Sequence, residues 1–492
     1  MDKLNVCLIN DSFPPAIDGV ANAVVNYGRI INSGLGNASV VTPYYPDADD
    51  SVFAFPVIRY PSIDMTKLVG YRAGMPFSAD ILRQVENSGF DLIHSHCPIT
   101  STLFARTLRE RLDIPIVMTY HTKFDIDIAN AVKSRLLQAE AAKLLVENIS
   151  ACDEVWTVSR GAGDNLRKLG YKGEYRVVPN GVDFPRGRVD DASIRAACEA
   201  YDLPDEVPMF LFVGRMMWYK GIRIILDALA GLKADGIGFR MVFIGGGGDK
   251  EEIERYATEL GLQEKVLFLD PIRDRDIIRA WYCRADLFLF PSTFDTNGLV
   301  VREAAACGLA SVLVSGSCAA EDSTDGEDSF LIDENADSMR QTLKKLCLSP
   351  ELMKEAGHKA MSSLYISWED AVKHAYGLYG SVVDDYRRGM YPEHETPEDG
   401  MFRWASETLE SVSRRKEFLR YVQEGFLQEQ QRYHEESEAD AERIRRLLTE
   451  RRERLQMIIE DGQSKVRSDF ESTKDALRET LDSISRFIDR YK

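Results

Sequence analysis

Short apolar runs alternate with amphipathic stretches along the first two-thirds of the chain. The apolar runs predict strands at 4–9, 39–42, 92–94, 116–119 and 154–158, and a second set at 209–213, 241–244, 266–269, 287–290 and 311–314. The stretches between them, such as 79–87 and 101–111, have helical spacing. Strands that alternate with helices are typical of parallel sheets with crossover helices. We therefore predict an α/β fold of two doubly wound parallel-sheet domains, with a ligand bound in the cleft between them.

Changes in this pattern mark the domain boundaries. A polar connector follows the phrase Pro179-Asn180-Gly181-Val182-Asp183, so we assign 1–187 to an N-terminal domain and 205–366 to a C-terminal domain. A closing helix is predicted at 367–390. The remainder, 401–492, is rich in charge, free of proline and predicted to be a long helix, or a coiled coil.

The predicted C-terminal tail carries an apolar stripe at helical spacing. The stripe consists of Leu455, Ile459, Val466, Phe470, Leu477, Leu481, Ile484 and Ile488. Because an isolated stripe would expose large apolar side chains to water, it should pair with another helix. That helix would come from a second copy, from a different protein or from the body of the chain itself; we favour a homo-oligomer.

Composition narrows the classes of protein. A chain of 492 residues with 44% apolar residues has room for two or three domains, and its net charge of −18 argues against a nucleic-acid partner. The eight cysteines include no C-x-x-C pair, which is typical of buried thiols in a reducing cytosol. The N-terminal apolar run is too short for a signal peptide, and no run reaches the roughly 18 apolar residues of a membrane span. We therefore expect a cytoplasmic protein without a transmembrane segment.

Peripheral contact with the inner membrane surface stays open. Arg106, Arg109 and Arg111 lie beside apolar residues such as Phe104 and Leu108, and together they would form a small membrane-facing patch. The alternative that we favour is a solvated helix face, since the net charge of the molecule would repel an anionic membrane.

The stretch 294–308 predicts the first candidate site. Its order of buried strand, short polar loop, glycine and helix is typical of an anion site, because the free N–H groups of a helix start point at the ligand. Asp295 and Glu303 place two carboxylates beside that site. Carboxylates accept hydrogen bonds from sugar or ribose hydroxyls, worth about 1.5–3 kcal/mol each. These features together predict binding of a nucleotide-linked sugar.

Two further glycine-containing phrases follow predicted strands. Arg215 and Lys220 are flanked by Gly214 and Gly221, so both cations can reach one diphosphate while the glycines let backbone approach it. Gly19 should open the first helix and leave room there for a phosphate or a sugar.

Histidines form another set of candidates. His121 ends a predicted strand and should face the cleft, with a structural histidine as the alternative. His94 and His96 have a spacing that metal sites use, but no third ligand is evident, so we favour a structural role. Glycines 245–248 follow another strand and predict a tight turn.

Over about residues 3–388, these phrases resemble in order the motifs of the retaining glycosyltransferase family 4. Asp295 and Glu303 match its acidic-x7-acidic motif, with Asp where the family usually has Glu. The G-R-x4-K-G motif is matched at 214–221, with Tyr219 in place of the usual Glu before the lysine. The phrase P-P-x-x-x-G-V-A at 14–21 and the phrase around His121 are similar to the branch of diacylglycerol glucosyltransferase-like glycolipid and mannosyl transferases.

The resemblance implies a GT-B fold in which the N-terminal domain binds acceptor and the C-terminal domain binds the sugar nucleotide. Arg215 and Lys220 would stabilise the leaving diphosphate. Glu303 would hold the ribose hydroxyls, and Asp295 and His121 the sugar. The other predicted substrate-binding residues are Gly19, Asn297, Gly298 and Leu299, of which Gly298 and Leu299 would donate backbone N–H groups.

The resemblance also implies a reaction. A hexose would pass from a nucleotide-diphosphate sugar to a hydroxyl acceptor with retained configuration, by same-face attack and without an enzyme nucleophile. UDP-glucose is the preferred donor, and a lipid or a saccharide is the expected acceptor. No metal or other cofactor is expected, and the closing helix would return to the N-terminal domain.

Two other classes stay open. A catalytically weak relative acting as a scaffold through its tail is supported by Asp295 in place of Glu, and opposed by the intact Arg215, Lys220 and Glu303. A GT-B phosphorylase or epimerase matches the phrases less well. A dinucleotide enzyme is not supported, because no G-x-G-x-x-G follows the first strand.

Overall fold

The computed structural model describes residues 3–392 apart from 17, 65–71, 75–78, 125–127, 129–134, 202 and 205. The predicted tail at 401–492 lies outside the described residues. The described chain has the predicted fold class, two α/β domains that each contain a parallel sheet.

A seven-stranded parallel sheet forms the centre of the N-terminal domain. Its strands are β1 (Asn5–Ile9), β2 (Asn37–Pro43), β3 (Val57–Tyr60), β6 (Leu92–Ser95), β7 (Ile116–Tyr120), β8 (Glu154–Thr157) and β9 (Arg176–Val177), and β4 (Ser62–Asp64) pairs with β5 (Arg72–Gly74) in a separate antiparallel hairpin. The strand order is β3-β2-β1-β6-β7-β8-β9. In register, Cys7 lies opposite Ser39 on one side and Ile93 on the other.

Helices cover both faces of this sheet. They are α1 (Gly19–Ile30), α2 (Ala79–Glu86), α3 (Thr100–Leu112), α4 (Arg135–Ser150) and α5 (Arg160–Lys168). The two faces carry separate apolar cores, one around Ile93 and Phe104 and the other around Leu8 and Trp156, and all four of these side chains are fully buried. Strands buried on both faces explain why the predicted runs are continuously apolar rather than alternating.

The C-terminal domain repeats the architecture with a six-stranded parallel sheet. Its strands are β10 (Met209–Val213), β11 (Arg240–Ile244), β12 (Val266–Leu269), β13 (Leu287–Phe290), β14 (Ser311–Val314) and β15 (Ser329–Ile332), in the order β12-β11-β10-β13-β14-β15. Its helices are α6 (Asp191–Cys198), α7 (Ile222–Ala234), α8 (Lys250–Glu259), α9 (Arg275–Arg284), α10 (Leu299–Ala306), α11 (Ala336–Leu348) and α12 (Pro350–Ser363).

The last described helix, α13 (Trp368–Arg387), packs on the N-terminal domain. The Tyr379 ring stacks on Trp156 with 5.5 Å between centroids, and the Tyr376 hydroxyl accepts a 2.8 Å hydrogen bond from the Leu4 N–H. Next to this helix start, a Cβ on Gly181 would lie 2.4 Å from the Trp368 nitrogen, so the connector can only pass here as glycine. The chain therefore crosses between the domains twice, at the connector and before α13.

The described structure bears on membrane contact and on metal binding. No helix within the described residues is long and apolar enough to cross a membrane. The prediction of a membrane-facing patch on α3 is wrong, and so is the alternative of a solvated helix face. Phe104 and Leu108 are fully buried, and Arg106 donates a hydrogen bond to Asn148 in the interior. Within the same residues, no three or more His, Cys, Asp and Glu side chains are placed to hold a metal ion.

Candidate active site

A cavity of about 630 Å³ lies where the carboxyl ends of the two sheets meet. Loops that leave β1, β6, β7 and β13 line it, so both domains contribute. The predicted site residues on its wall are Gly19, His121, Asp295, Asn297, Gly298 and Leu299. The wall also contains polar residues that the sequence motifs did not assign to the site: Asn10, Asp11, Ser12, Asp18, His96, Thr122, Asn180 and Thr296.

The position of this cavity follows from the strand order. In the N-terminal sheet β1 lies between β2 and β6, and in the C-terminal sheet β10 lies between β11 and β13. At such a switch point the chain leaves neighbouring strands in opposite directions, which opens a crevice at their carboxyl ends. Both switch points contribute to the wall of the cavity, one through Gly19 and His96 and the other through Asp295, whose carboxylate also contacts Lys220.

The start of α1 provides the N-terminal wall. Gly19 has no atom within 4 Å of the position that a Cβ would take, so this wall is open rather than packed. The Asp18 carboxylate already accepts the N–H groups of Val20 and Ala21, both at 2.8 Å. A phosphate here would meet a negative charge in place of free N–H groups, so the α1 start suits a hydroxyl group better than the phosphate alternative.

The start of α10 provides the opposite wall. Gly298 has φ of 56°, and a Cβ there would lie 3.0 Å from the Ala319 Cα, so the turn into the helix requires glycine. The first N–H groups of a helix have no partner within it, and those of Leu299 and Val300 border the cavity. This helix start has no side-chain cap, which leaves it suited to an anion.

Lys220 and Asp295 form an ion pair at the edge of the cavity. The Lys220 Nζ lies 2.7 and 2.8 Å from the two carboxylate oxygens of Asp295, and the Ser292 hydroxyl donates to the same carboxylate at 2.6 Å. Lys220 is buried at the end of the short turn that follows β10, and the rings of Phe290 and Phe294 lie within 6 Å of its Nζ. Two predicted site residues thus contact each other, and Ser292, which the sequence analysis missed, orients the pair.

Arg215 and Glu303 lie outside the lining of the cavity. The Arg215 side chain is exposed, and its guanidinium lies 6.0 Å from the centre of the Tyr219 ring. The Lys220 Nζ lies 5.7 Å from the centre of the same ring. Glu303 is one turn into α10 and accepts hydrogen bonds from the Arg275 guanidinium at 2.5 Å and from the Tyr282 hydroxyl at 3.1 Å. Burial raises the pKa of the Glu303 carboxyl, while the Arg275 charge opposes that rise.

Three histidines form a buried cluster on the N-terminal side. The Asn180 amide N–H lies 3.4 Å from the Nδ1 of His121, and the His121 Nε2 is 3.0 Å from the Nδ1 of His96. Because an amide N–H can only donate, His121 Nδ1 accepts, its Nε2–H donates to His96, and the proton of neutral His96 must sit on Nε2. That His96 Nε2 is buried and makes no hydrogen bond to the described residues.

The histidines are held neutral by burial. Desolvation lowers the pKa of His121 to about 3 and lowers the pKa of His94 and His96 well below the ordinary value. His94 contacts the Tyr379 hydroxyl at 2.6 Å and the Thr119 hydroxyl at 2.7 Å, which gives it the structural role that the sequence analysis favoured. His96 is different, because it also lines the cavity.

Direct contacts between the domains fix the loop that carries Asp295. The Ser159 hydroxyl donates to the Thr296 carbonyl, and the Glu321 carboxylate accepts the N–H groups of Arg160 and Gly161 at the start of α5. These residues come from distant parts of the sequence, so spacing gave no signal for them. The described structure therefore holds the loop between both domains.

A buried carboxylate and a glycine turn near the site have structural explanations. Asp11 is buried and caps α3 by accepting the N–H groups of Thr100 and Ser101 at 3.0 and 2.9 Å. The glycine turn at 245–248 packs against the Gly214–Met216 backbone, and a Cβ on Gly245 would lie 1.9 Å from the Gly214 oxygen. Close backbone packing accounts for Gly245 and Gly247 without a ligand.

Comparisons with known proteins agree with this geometry. The model of Glycosyltransferase Family 4 matches residues 17–186, and the model of Glycosyl transferases group 1 matches residues 194–362. Together they cover both α/β domains. The chain belongs to the glycosyltransferases of the GT-B fold and is a transferase enzyme.

The chain is also similar to individual members of this family. It is 24% identical over 316 residues to an alpha-monoglucosyldiacylglycerol synthase of Streptococcus pneumoniae, covering 62% of this chain and 70% of the relative. It is 29% identical over 271 residues to a D-inositol 3-phosphate glycosyltransferase of Xylanimonas cellulosilytica, covering 52% of this chain and 63% of the relative. Among solved structures, sucrose-phosphate synthase of Thermosynechococcus elongatus aligns with a TM-score of 0.61 at 21% identity, over 78% of this chain and 100% of that one.

Proposed function

We propose that this glycosyltransferase moves a hexose from a nucleotide-diphosphate sugar to a hydroxyl acceptor with retained anomeric configuration, and that UDP-glucose is the preferred donor. The observation that carries the proposal is the cavity in which the uncapped start of α10 lies beside Asn297, Asp295 and the neutral His121. An anion-binding helix start next to hydroxyl-binding side chains fits a sugar joined to a phosphate. The alpha-monoglucosyldiacylglycerol synthase supports glucose as the sugar, and it supports a lipid as the acceptor.

The C-terminal domain would bind the donor. The diphosphate would lie against the start of α10, within reach of Lys220 and Arg215, whose charges would stabilise it as it leaves. In the described structure Lys220 is occupied by Asp295, so donor binding would exchange partners: a phosphate oxygen for the lysine and a sugar hydroxyl for the aspartate. Glu303 would accept the ribose hydroxyls after sharing or releasing Arg275.

The transfer would need no enzyme nucleophile. The acceptor oxygen would form its bond to the anomeric carbon on the face from which the diphosphate oxygen departs, and the acceptor proton would pass to that phosphate oxygen. His121 is poorly suited to act as an acid, since burial lowers its pKa to about 3 and the Asn180 N–H occupies its Nδ1. Its expected role is to contact the sugar.

A screen of donors tests the proposal. The full chain is heated with UDP-glucose, GDP-mannose and ADP-glucose, each beside its free nucleotide; a ligand at about 100 times its dissociation constant stabilises by about 2.7 kcal/mol. We expect the largest shift with UDP-glucose. Equal and negligible shifts with every nucleotide sugar would overturn the proposed function.

A transfer assay tests the chemistry. Diacylglycerol in detergent and inositol phosphate are offered as acceptors, and NMR of the product reports the new linkage. We expect an α-linked product from the α-linked donor, formed equally well after treatment with EDTA. An inverted linkage would contradict retention, and activity restored only by a divalent ion would contradict the expected independence of metal.

The scaffold alternative has one observation in its favour, namely that Lys220 is already neutralised by Asp295. If this pair cannot open, donor would bind weakly and neither transfer nor donor hydrolysis would be measurable. Release of free glucose from UDP-glucose by the purified chain would exclude that alternative.

A further inference from the structure

Two side chains of α9 hold the Glu303 carboxylate, each on a different oxygen. The Arg275 guanidinium donates to Oε1 at 2.5 Å, and the Tyr282 hydroxyl donates to Oε2 at 3.1 Å. The Glu303 side chain is 13% exposed and the Arg275 side chain is 48% exposed. A carboxylate has about four lone-pair sites. The contacts from α9 therefore leave sites for further donors, and the hydroxyls of a ribose are donors of this kind.

Arg275 has contacts of its own apart from Glu303. Its guanidinium lies 4.3 Å from the centre of the Phe184 ring, a cation–π contact, and the Asp183 carboxylate attracts it electrostatically. Phe184 is buried and packs edge-on against the Tyr282 ring, with 5.7 Å between centroids. The connector that carries Asp183 and Phe184 therefore holds Arg275 in place independently of the Glu303 carboxylate.

The charges around Glu303 decide its protonation state. Burial raises the pKa of the carboxyl, the Arg275 charge opposes that rise, and the Asp183 charge adds to it. Two neutral titratable groups also face the carboxyl, the Tyr282 hydroxyl from α9 and the Cys307 thiol from the end of α10. Loss of the Arg275 charge would leave a buried carboxylate without its cationic partner, which is costly, so Glu303 would bind a proton at higher pH. A protonated carboxyl keeps fewer acceptor sites for ribose hydroxyls.

Two roles are compatible with this ion pair. As a plug, Arg275 would occupy the Glu303 carboxylate until a donor displaced it. As a positioning residue, it would stay on Oε1 while the ribose took the remaining sites. The contacts with Phe184 and Asp183 favour the second role, because they keep the guanidinium in place whether or not a ribose is present. Removal of the arginine changes donor affinity in opposite directions under the two roles.

We propose that Arg275 is a positioning residue, which keeps the Glu303 carboxylate ionised and oriented so that it accepts hydrogen bonds from the ribose hydroxyls of the donor. The inference rests on the proposed function, because it requires a nucleotide sugar whose ribose contacts Glu303. It adds a residue that acts on the donor only through another side chain, and it makes the connector part of the donor site.

A ribose-specific binding assay tests the proposal. Isothermal titration of the full chain at pH 7 compares UDP-glucose, or the nucleotide sugar with the largest shift in the donor screen, with its 2′-deoxyribose analogue. The wild type should bind the ribose form about tenfold more tightly or better, the worth of one hydrogen bond to a charged group. In Arg275→Gln, which loses the charge and stays polar, affinity for the ribose form should fall at least about fivefold and the preference for ribose should drop below about threefold.

The pH dependence of donor binding gives a second readout. UDP-glucose suits this experiment because it lacks the terminal phosphate of UDP, which titrates near roughly pH 6. Donor affinity is lost as the pH falls through the Glu303 pKa, and loss of the Arg275 charge moves that pKa upward. From pH 8 to pH 6, the loss of affinity in Arg275→Gln should be at least about fivefold greater than in the wild type. The histidines of the cavity are the same in both proteins, so their effect cancels in this comparison.

Two variants serve as controls. Arg275→Lys retains the positive charge and should restore most of the lost preference for ribose. Arg340 forms a matched ion pair away from the lining of the cavity: its guanidinium contacts Asp235 at 2.8 Å, and the two side chains are 38% and 14% exposed. Arg340→Gln should therefore leave both the ribose preference and the pH dependence at their wild-type values.

The outcomes separate this inference from the proposed function. A wild type that binds no nucleotide sugar would contradict the proposed function itself. Tighter donor binding by Arg275→Gln would identify the plug and overturn the positioning role. A wild type without preference for ribose would overturn it as well. Equal losses for the ribose and deoxyribose forms, or a pH dependence parallel to that of the wild type, would reveal a merely structural arginine and reject the inference.

Discussion

Lowering the pH from 7 to 5 should destabilise this protein through its buried histidines. His94, His96 and His121 have pKa values lowered by desolvation, and that of His121 falls from an ordinary 6.5 to about 3. Between those two values the unfolded chain binds a proton that the folded chain does not. Stability therefore rises with pH across this window and is lost as the pH falls below about 6.5.

The magnitude follows from the unfolded state. One pKa unit corresponds to about 1.4 kcal/mol. A histidine that stays neutral when folded loses about 2 kcal/mol of stabilisation between pH 7 and pH 5, most of it below pH 6.5. His94 and His96, whose pKa values are also lowered by desolvation, act in the same direction as His121.

Two buried carboxyls act in the opposite direction. Burial raises the pKa of Asp11 and of Glu303, so their folded forms take up protons more readily than the unfolded chain and gain stability as the pH falls toward the ordinary value. The total pH dependence mixes both effects. The contribution of one histidine is therefore best isolated as a difference between the wild type and a variant.

The assay is chemical unfolding at pH 7, 6 and 5 of the wild type, His121→Gln and His358→Gln. His358 lies exposed on α12, which makes it the matched control. The drop in unfolding free energy from pH 7 to pH 5 should be about 2 kcal/mol smaller in His121→Gln than in the other two. His94→Gln provides a second variant, in which the drop should also be smaller than in the wild type.

Parallel pH profiles in His121→Gln and the wild type would refute the reasoning. They would mean that His121 becomes protonated in the folded state at little cost, and therefore that water or a rearranged side chain reaches its ring. The neutral tautomer chain from Asn180 to His96 would then be wrong as well.

Three further predictions concern donor chemistry and the tail. Glu303→Gln should lower kcat/KM by roughly ten- to a hundredfold, from about 1.5–3 kcal/mol of lost charged hydrogen bonding; normal kinetics would remove Glu303 from the site. Lys220→Ala should act mainly on kcat, because phosphate charge develops during transfer, and a change confined to KM would contradict that role. Truncation near Gly400 should keep UDP-glucose binding and reduce the mass measured by light scattering to that of one chain; an unchanged mass would defeat the homo-oligomer.

The apolar runs predicted most of the fold because the sheets are parallel and covered on both faces. Five strands of the C-terminal sheet were predicted with bounds that differ from the structure by at most one residue, since each is a short, mainly apolar run. The edge strands β3 and β15 and the two-residue β9 were missed. In β3, Arg59 interrupts the pattern because its guanidinium turns back to Asp50 and the Pro43 carbonyl.

The sequence predicted individual residues of the site, but it did not predict the contacts between their side chains. Motif spacing identified Gly19, His121 and the 295–299 loop, which do lie on one wall or another of the cavity. It could not identify Arg275 or Tyr282, because both lie on α9 and reach the site only by contacting Glu303 of α10. Ser292 lies in the same loop as Asp295, but no motif spacing indicates the contact of its hydroxyl with that carboxylate. The α3 arginines failed for a related reason: helical periodicity alone does not say that α4 covers that helix, whereas the Arg106–Asn148 contact does.

The ion pair of Lys220 and Asp295 connects the two motifs to which separate roles were assigned. Their strands, β10 and β13, are neighbours at the switch point, so the loops that follow them meet although 75 residues separate the two side chains in sequence. A buried lysine without a partner would be costly to maintain, and the aspartate supplies that partner before a donor arrives. The Ser292 hydroxyl and the Lys220 ammonium both contact this carboxylate and hold it in the loop that follows β13. A sugar hydroxyl that binds Asp295 would therefore compete with these two contacts, and Lys220 would be released toward the phosphate of the donor.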